Sequence, residues 1–145
     1  MLARSNLDPQ EALVCTMVLV AAAETGGITD REIGVMATLV QTLPIFEHFS
    51  NDRLQRAADA AIQLLREDEG LAHAGRLIRD SLEARLRETA YTLACEVVAA
   101  DRAHGQRILH MLEFLAAELQ LDNLVIAAIE RGTRARYQRL ERNGG

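Results

Sequence analysis

The sequence contains no tryptophan and no lysine, and it has only two prolines, two cysteines, two tyrosines and three phenylalanines. Scarce proline together with 49% hydrophobic residues indicates a folded chain and excludes a disordered one. Without lysine, all 16 basic residues are arginine, and 21 acidic residues bring the formal net charge to -5. That charge disfavours non-specific binding of nucleic acid or of an anionic membrane surface.

The two cysteines, Cys15 and Cys95, both lie in apolar runs, which indicates buried, reduced thiols. The apolar run 12–23 has Thr16 as its only polar member, and it is shorter than the roughly 20 residues that span a bilayer. No basic segment precedes it at the spacing of a secretory signal, so no signal peptide is predicted. We therefore predict a cytoplasmic protein without a membrane span.

Helix-start signals divide the chain into about seven helices. Asp8 and Glu11 form a capping box around Pro9, and Thr29 and Glu32 form a second one. Further caps are predicted at Ser50, at Asp122 and, by the spacing of Asp80 and Glu83, near residue 80. The first helix is predicted to run to about residue 24, the fifth over 81–100 and the last over 123–141.

No segment alternates between apolar and polar residues as a strand would, so the pattern predicts an all-α fold. The first helix is apolar on nearly every side and must be surrounded by the others. We expect a single compact domain over residues 1–145. Inward-facing residues are predicted on the fourth helix at Leu71, Leu77 and Ile78, and on the last helix at Leu124, Val125, Ala128 and Ile129.

The chain contains a weak internal repeat. Displacing the sequence by 76 residues aligns 12–43 with 88–119, and five of the 32 pairs are identical, among them Arg31 with Arg107. In this alignment the apolar helix, the turn and the apolar stripe of the following helix all stay in register without a gap. This favours a pseudo-two-fold duplication of helical hairpins, with halves at about 8–49 and 81–122, although two unrelated amphipathic hairpins would align almost as well.

Acidic residues gather around the turn of each hairpin. Calcium and magnesium prefer several oxygen ligands, which carboxylates near a tight turn supply. A helix start also favours acids for capping and dipole reasons, so capping is the simpler interpretation at the first turn. Neither turn has EF-hand spacing, and no Ser/His/Asp pattern, phosphate loop or nucleotide motif is present. The candidate metal ligands are Glu24, Asp30 and Glu32 in the first hairpin and Glu96, Asp101 and Glu113 in the second.

Four motifs resemble the TerB-like proteins of bacterial tellurite resistance, in order and in spacing. They are VAAAETGGITDREI (20–33), ACEVVAADR (94–102), LEFLAAELQLD (112–122) and AAIERG (127–132), and the resemblance extends over about 7–136. It implies a compact domain of about seven helices built on a duplication. It also implies a cytoplasmic, non-enzymatic role in tellurite and related stress, with acidic clusters that bind metal.

The chain departs from the family pattern, which implies an Asp-Gly pair after each central helix and a Glu seven residues past that Asp. In the first copy Thr25 replaces the Asp, and in the second Arg102 replaces the Gly and Ile108 replaces the Glu. Each half therefore keeps one of its two acids. Losing two carboxylates is expected to weaken binding of a divalent cation.

Three functions follow as hypotheses. The first is a TerB-like stress-response protein that contacts other stress-response proteins and binds a divalent cation weakly. The second is a helical scaffold or homodimer that uses residues 45–49 or the last helix as its contact surface. The third is a small-ligand binder or enzyme that uses Glu96 and Asp101. Glu96 lies on an otherwise apolar face, and if it is buried, its carboxylate must be paired or its pKa raised.

Overall fold

The computed structural model describes residues 7–101 and 105–141, so Arg102 and Arg142 lie outside the described residues. The predicted all-α fold is confirmed, and the described residues contain seven α-helices and no strand. The helices are α1 (Pro9–Ala21), α2 (Asp30–Thr42), α3 (Asn51–Leu65), α4 (Gly70–Ser81), α5 (Ala84–Ala100), α6 (Gln106–Glu118) and α7 (Asn123–Arg136), with a short 3-10 helix at Pro44–Phe46. None of these helices has the length and apolar character needed to cross a membrane.

The predicted helix starts are confirmed at the two capping boxes. In α1 the Asp8 side chain accepts a hydrogen bond from the Glu11 N–H at 2.8 Å, and Glu11 accepts one from the Asp8 N–H at 3.1 Å. In α2 the Thr29 hydroxyl accepts from the Glu32 N–H at 3.1 Å, and Glu32 accepts from the Thr29 N–H at 2.8 Å. Each pair satisfies N–H groups that the first turn of a helix leaves without partners.

The caps at Ser50 and Asp122 are also confirmed, since each side chain accepts a backbone N–H at the start of α3 or α7. The predicted cap at Asp80 is wrong. Asp80 lies in the last turn of α4 and pairs with Arg79 at 3.1 Å, whereas Glu83 precedes α5 without making a side-chain cap hydrogen bond. A break between α4 and α5 is present near residue 80, as expected, but Glu83 and not Asp80 occupies the N-cap position of α5.

The core surrounds α1, as its apolar sequence predicts. Residues 12–21 are all buried, and α1 packs against α3, α4, α5 and α6. Its single buried hydroxyl, on Thr16, donates to the Ala12 carbonyl at 2.8 Å, so no polar group is left unpaired inside the helix. The second central helix is α5, which buries Tyr91, Leu93 and Val97.

Two helix ends differ from the prediction. Helix α1 stops at Ala21 and not near residue 24, because Gly26 adopts a φ of 79° and its N–H donates to the Ala22 carbonyl at 2.8 Å, which closes a turn. Helix α7 stops at Arg136 and not at residue 141. There Tyr137 leaves the helical conformation and turns its side chain toward α5.

The inward faces of α4 and α7 differ in part from the prediction. Leu77 and Ile78 are buried as expected, but Leu71 is 37% exposed. On α7, Leu124 is 80% exposed and Ala128 is exposed as well. The face of α7 that meets the core carries Ile126, Ile129 and Thr133, so the helix is rotated relative to the apolar stripe that the sequence suggested.

The boundaries of the helices follow the 76-residue displacement of the repeat. Helix α2 covers 30–42, and adding 76 gives 106–118, the bounds of α6. Helix α1 covers 9–21, and adding 76 gives 85–97, which lies inside α5 at 84–100. The two-fold relation between the hairpins stays a prediction.

Candidate functional site: the hairpin turns and the α5–α7 seam

The two hairpin turns lie side by side. The Arg107 guanidinium donates to the Glu24 carbonyl at 3.3 Å, and the Arg31 guanidinium lies 3.7 Å from the Asp101 carboxylate. Gly105 also approaches the Glu24 carboxylate so closely that a Cβ at this position would collide with it. Each turn therefore receives an arginine from the other hairpin.

These contacts are nearly reciprocal under the repeat. Arg31 and Arg107 are 76 residues apart, and so are Thr25 and Asp101. Arg31 reaches Asp101, while Arg107 reaches Glu24, the neighbour of Thr25. Reciprocal contacts of this kind are what a two-fold axis produces between equivalent units. The equivalence is incomplete, because Arg31 contacts a carboxylate and Arg107 a main-chain carbonyl, and the duplication stays a prediction.

The structure distributes the six candidate metal ligands over separate contacts. Asp30 and Glu113 are exposed, Glu24 lies at the turn and Glu32 is occupied in its capping box. Among residues 7–101 and 105–141, no group of three or more His, Cys, Asp or Glu side chains is arranged to hold a metal ion. Asp101 faces Arg31, whose guanidinium supplies a positive charge beside that carboxylate. The metal site stays a prediction.

Glu96 is the central residue of a polar seam between α5 and α7. Its side chain is only 8% exposed, and the last turn of α7 supplies both of its partners. The Arg136 guanidinium lies 2.7 Å from one carboxylate oxygen, and the Tyr137 hydroxyl donates to the other at 2.5 Å. A buried carboxylate is tolerated only when it is paired in this way, because an unpaired charge is costly to remove from water.

The electrostatics of the seam follow from these contacts. The negative charge of Glu96, followed by its hydrogen bond, raises the pKa of the exposed Arg136 guanidinium. Burial, followed by the hydrogen bond to Glu96, raises the pKa of the Tyr137 hydroxyl. Both shifts favour the protonated forms of Arg136 and Tyr137, which are the forms that donate to Glu96.

A second polar contact joins the same two helices. The Tyr91 hydroxyl on α5 donates to the Glu130 carboxylate on α7 at 2.6 Å. Burial first, and then this hydrogen bond, raise the pKa of Tyr91. Tyr91 and Glu96 therefore attach α7 to α5 at two points, one near its middle and one at its end.

Both thiols are buried, as predicted, and both are held protonated. Burial raises the pKa of Cys15 to about 12. Burial, followed by the charge of Glu130, raises the pKa of Cys95 to about 12. Since the thiolate is the reactive form of cysteine, neither residue is activated as a nucleophile at neutral pH.

Sequence reasoning singled out Glu96 but missed its partners. Neither Arg136 nor the two tyrosines, Tyr91 and Tyr137, were predicted to contact it. The one available signal was the chemistry of Glu96 itself, because a carboxylate on a buried face requires a cation or a hydroxyl donor. Asp101, its companion in the enzyme hypothesis, is paired with Arg31.

One face of α7 is exposed in the part of the chain that the structure describes. Leu124, Ala127, Ala128, Arg131 and Ala135 recur at helical spacing, and all are exposed. The exposed arginines Arg131, Arg134 and Arg139 make no ion pair with any residue that the structure describes. We call these three residues the arginine patch.

The other predicted contact surface, at residues 45–49, is not exposed as a whole. Phe46 is 2% and Phe49 7% exposed, and their rings pack together with centroids 5.6 Å apart. The hypothesis that these two aromatic residues form an interaction surface is therefore wrong. The rings belong to the core beneath α3.

Comparisons of the chain with models of known protein families, with curated proteins and with solved structures gave no match.

Proposed function

We propose that the protein is a TerB-like, non-enzymatic component of the cytoplasmic response to tellurite and related stress, and that it acts by binding other proteins. The four motifs at 20–33, 94–102, 112–122 and 127–132 support the family, and an all-helical fold agrees with it. Internal contacts occupy the buried carboxylates Glu32 and Glu96. The thiols are held protonated by burial.

The arginine patch is the observation that carries the proposal. Arg131, Arg134 and Arg139 place three exposed cations within the segment 131–139 of a protein whose net charge is -5. None of them is neutralised by an ion pair within the described residues. A partner with an acidic surface complements such a patch, and charge complementarity of this kind favours the encounter and selects the partner. The cationic end of α7 is the docking surface for an acidic stress-response protein.

Affinity capture from tellurite-stressed cells tests the proposal. The bait is the full chain, and the test variant carries Arg131→Gln, Arg134→Gln and Arg139→Gln together. A matched control removes three other exposed arginines: Arg66→Gln, Arg76→Gln and Arg85→Gln. Wild type and control are expected to capture the same acidic partner, and the patch variant is expected to lose it. If all three baits retain the same proteins, the arginine patch is not the docking surface.

The proposal includes weak binding of a divalent cation at the paired hairpin turns. Glu24 and Asp101 are the acids at the two adjoining turns, and a cation there competes with Arg31 for Asp101. For a dissociation constant of about 1 mM, about 10 mM metal stabilises the fold by about 1.4 kcal/mol.

Thermal melts with calcium, magnesium and zinc measure that stabilisation. The double variant Glu24→Gln, Asp101→Asn is expected to lose the metal-induced rise in melting temperature. Glu141→Gln, at an exposed position far along the chain, is expected to retain it. No shift with any of the three metals at about 10 mM removes metal binding from the proposal.

A second candidate function, self-association through α7, is favoured by the exposed stripe on that helix. Leu124 is 80% exposed, and Ala127, Ala128 and Ala135 continue its face with side chains small enough for close helix approach. Antiparallel pairing with a second copy places Asp122 at one end of α7 beside Arg134 and Arg139 at the other end. Opposite charges then meet at both ends of the pair.

Sedimentation at rising protein concentration distinguishes this candidate. The wild type is expected to form a dimer that Leu124→Glu abolishes. Leu140→Glu introduces the same charge at a residue that is 97% exposed and lies beyond the end of α7, so it should leave the dimer intact. A wild-type chain that stays monomeric at high concentration excludes self-association.

A further inference from the structure

A groove of about 650 Å³ lies between α1 and α3. Its floor is formed by Cys15, Phe49 and Ala61, which are 3%, 7% and 4% exposed. Ala57 and Leu64 form part of the wall. The volume lies within the range of roughly 300–1,000 Å³ that is typical of small-molecule sites, and an apolar lining with a few polar groups is also typical of them.

The groove exists because α3 carries small side chains where it faces α1. Ala57, Ala60 and Ala61 all line the cavity, so this face of α3 does not fill the space beside Cys15. A row of leucines here would close the gap and bury more apolar surface. These small side chains thus leave a groove beside the helix around which the core is built.

The polar rim of the groove is asymmetric. Arg53 is already engaged, since its guanidinium pairs with Asp8 at 3.2 Å and lies 4.6 Å above the Phe49 ring. Asp8 and Glu11 are held in the capping box of α1. Arg56 is exposed and has no hydrogen bond or ion pair with any described residue. Of the two arginines that line the groove, Arg56 is therefore the one without an internal partner among the described residues.

We propose that this groove binds a free linear amphiphile with a single carboxylate, that is, a fatty-acid anion. The alkyl chain lies over Cys15, Phe49 and Ala61, where it is removed from water. The carboxylate binds the Arg56 guanidinium, whose planar pair of N–H donors matches the two carboxylate oxygens. Arg56 alone does not suffice for binding, because it is exposed to solvent. The floor alone does not suffice either, because it has no polar group that would select a carboxylate.

Calorimetric titration of the full chain with octanoate, decanoate and dodecanoate, each below its aggregation concentration, tests the proposal. Saturable binding with one site per chain is expected. Each pair of added methylenes should strengthen binding about 15-fold while the groove still has room, since burying one methylene is worth about a factor of four. Dodecyltrimethylammonium, with the same chain and a cationic head, should bind more weakly than dodecanoate.

Two variants with matched controls locate the ligand. Ala60→Trp fills the mouth of the groove from an exposed position and should abolish binding, whereas Gln63→Trp on the exposed side of α3 should not. Arg56→Gln should weaken dodecanoate binding about tenfold, whereas Arg66→Gln should leave it unchanged. Unchanged thermal melts of Arg56→Gln and Arg66→Gln verify that these variants are folded.

Two results would overturn the proposal. The absence of saturable binding by any of the three carboxylates, or equal binding by Ala60→Trp and the wild type, shows that the groove is not the site. Equal affinity of Arg56→Gln and the wild type for dodecanoate shows that the carboxylate is not recognised, and the ligand class is then wrong.

Discussion

At the scale of single residues, Glu96 determines how the last helix attaches to the rest of the molecule. Its carboxylate is buried on α5, and both of its partners come from the end of α7. The sequence predicts that a buried Glu96 is either paired or has a raised pKa, because an unpaired buried charge is costly, and the structure shows the paired outcome. It does not predict Tyr137, which lies 41 residues further along the chain. A partner at that separation is selected by packing and not by local spacing.

Removing the Tyr137 hydroxyl is expected to destabilise the fold. Tyr137→Phe leaves one oxygen of the buried Glu96 carboxylate without its donor, and hydrogen bonds to charged groups contribute about 1.5–3 kcal/mol. Urea unfolding of the variant should show a loss of unfolding free energy in this range. Tyr137 itself is only partly buried, but the Glu96 carboxylate that loses its donor is almost fully buried. Arg139→Ala, at an exposed residue without an ion pair in the described chain, should change stability by less than about 0.5 kcal/mol. Equal losses for the two variants would contradict the role given to Tyr137.

The buried thiols predict a loss of stability at alkaline pH. Burial raises the pKa of Cys15 to about 12, whereas an unfolded thiol titrates near about 8.5. The folded state therefore favours the protonated thiol, and this contribution is complete below about pH 8.5 and is lost as the pH rises toward 12. Within that window the free energy of unfolding should fall by about 1.4 kcal/mol per pH unit for each such thiol.

Comparing the wild type with Cys15→Ala isolates that contribution. Tyr91, Cys95 and Tyr137 also have raised pKa values, but they are present in both proteins and cancel in the comparison. Urea unfolding between pH 9 and pH 11 should give a shallower decline for Cys15→Ala. Parallel declines in the two proteins would show that the Cys15 thiol titrates in the folded state as it does in the unfolded chain.

At the scale of helices, local signals identify where most elements start, but not how each one is rotated. Capping chemistry is local, so Asp8, Thr29, Ser50 and Asp122 were predictable as caps from neighbouring residues. The rotation of α7 was not, because apolar residues occur on more than one of its faces. Its attachment to Tyr91 and Glu96 on α5 selects the face that turns inward, and Leu124 is left outside.

Two glycines in helices are expected to respond oppositely to alanine. A Cβ at Gly70 would collide with the Leu64 carbonyl and lie 3.0 Å from backbone atoms of Leu65, so the turn between α3 and α4 must shift. We expect Gly70→Ala to cost about 1–3 kcal/mol. A Cβ at Gly34, inside α2, meets nothing within 4 Å, and Gly34→Ala should stabilise the protein by roughly 0.5–1 kcal/mol. Urea unfolding measures both, and a neutral Gly70→Ala would contradict the close approach of α3 and α4.

At the scale of the whole molecule, the fold was more predictable than the site. A nearly fully apolar first helix requires neighbours on all sides, and the structure surrounds α1 with α3, α4, α5 and α6. The 76-residue displacement was visible in the sequence, but the reciprocal contacts of Arg31 and Arg107 were not, because they join turns that are distant along the chain. The arginine patch and the α1–α3 groove depend on which side chains remain unpaired. That property emerges only when all the helices are in place.

We propose that the protein acts through protein contacts at the arginine patch, and affinity capture from tellurite-stressed cells tests this proposal most directly. The predicted result is an acidic partner captured by the wild type and by the Arg66, Arg76 and Arg85 control. The variant that replaces Arg131, Arg134 and Arg139 should lose it. Capture of no protein above background by the wild type would contradict the claim.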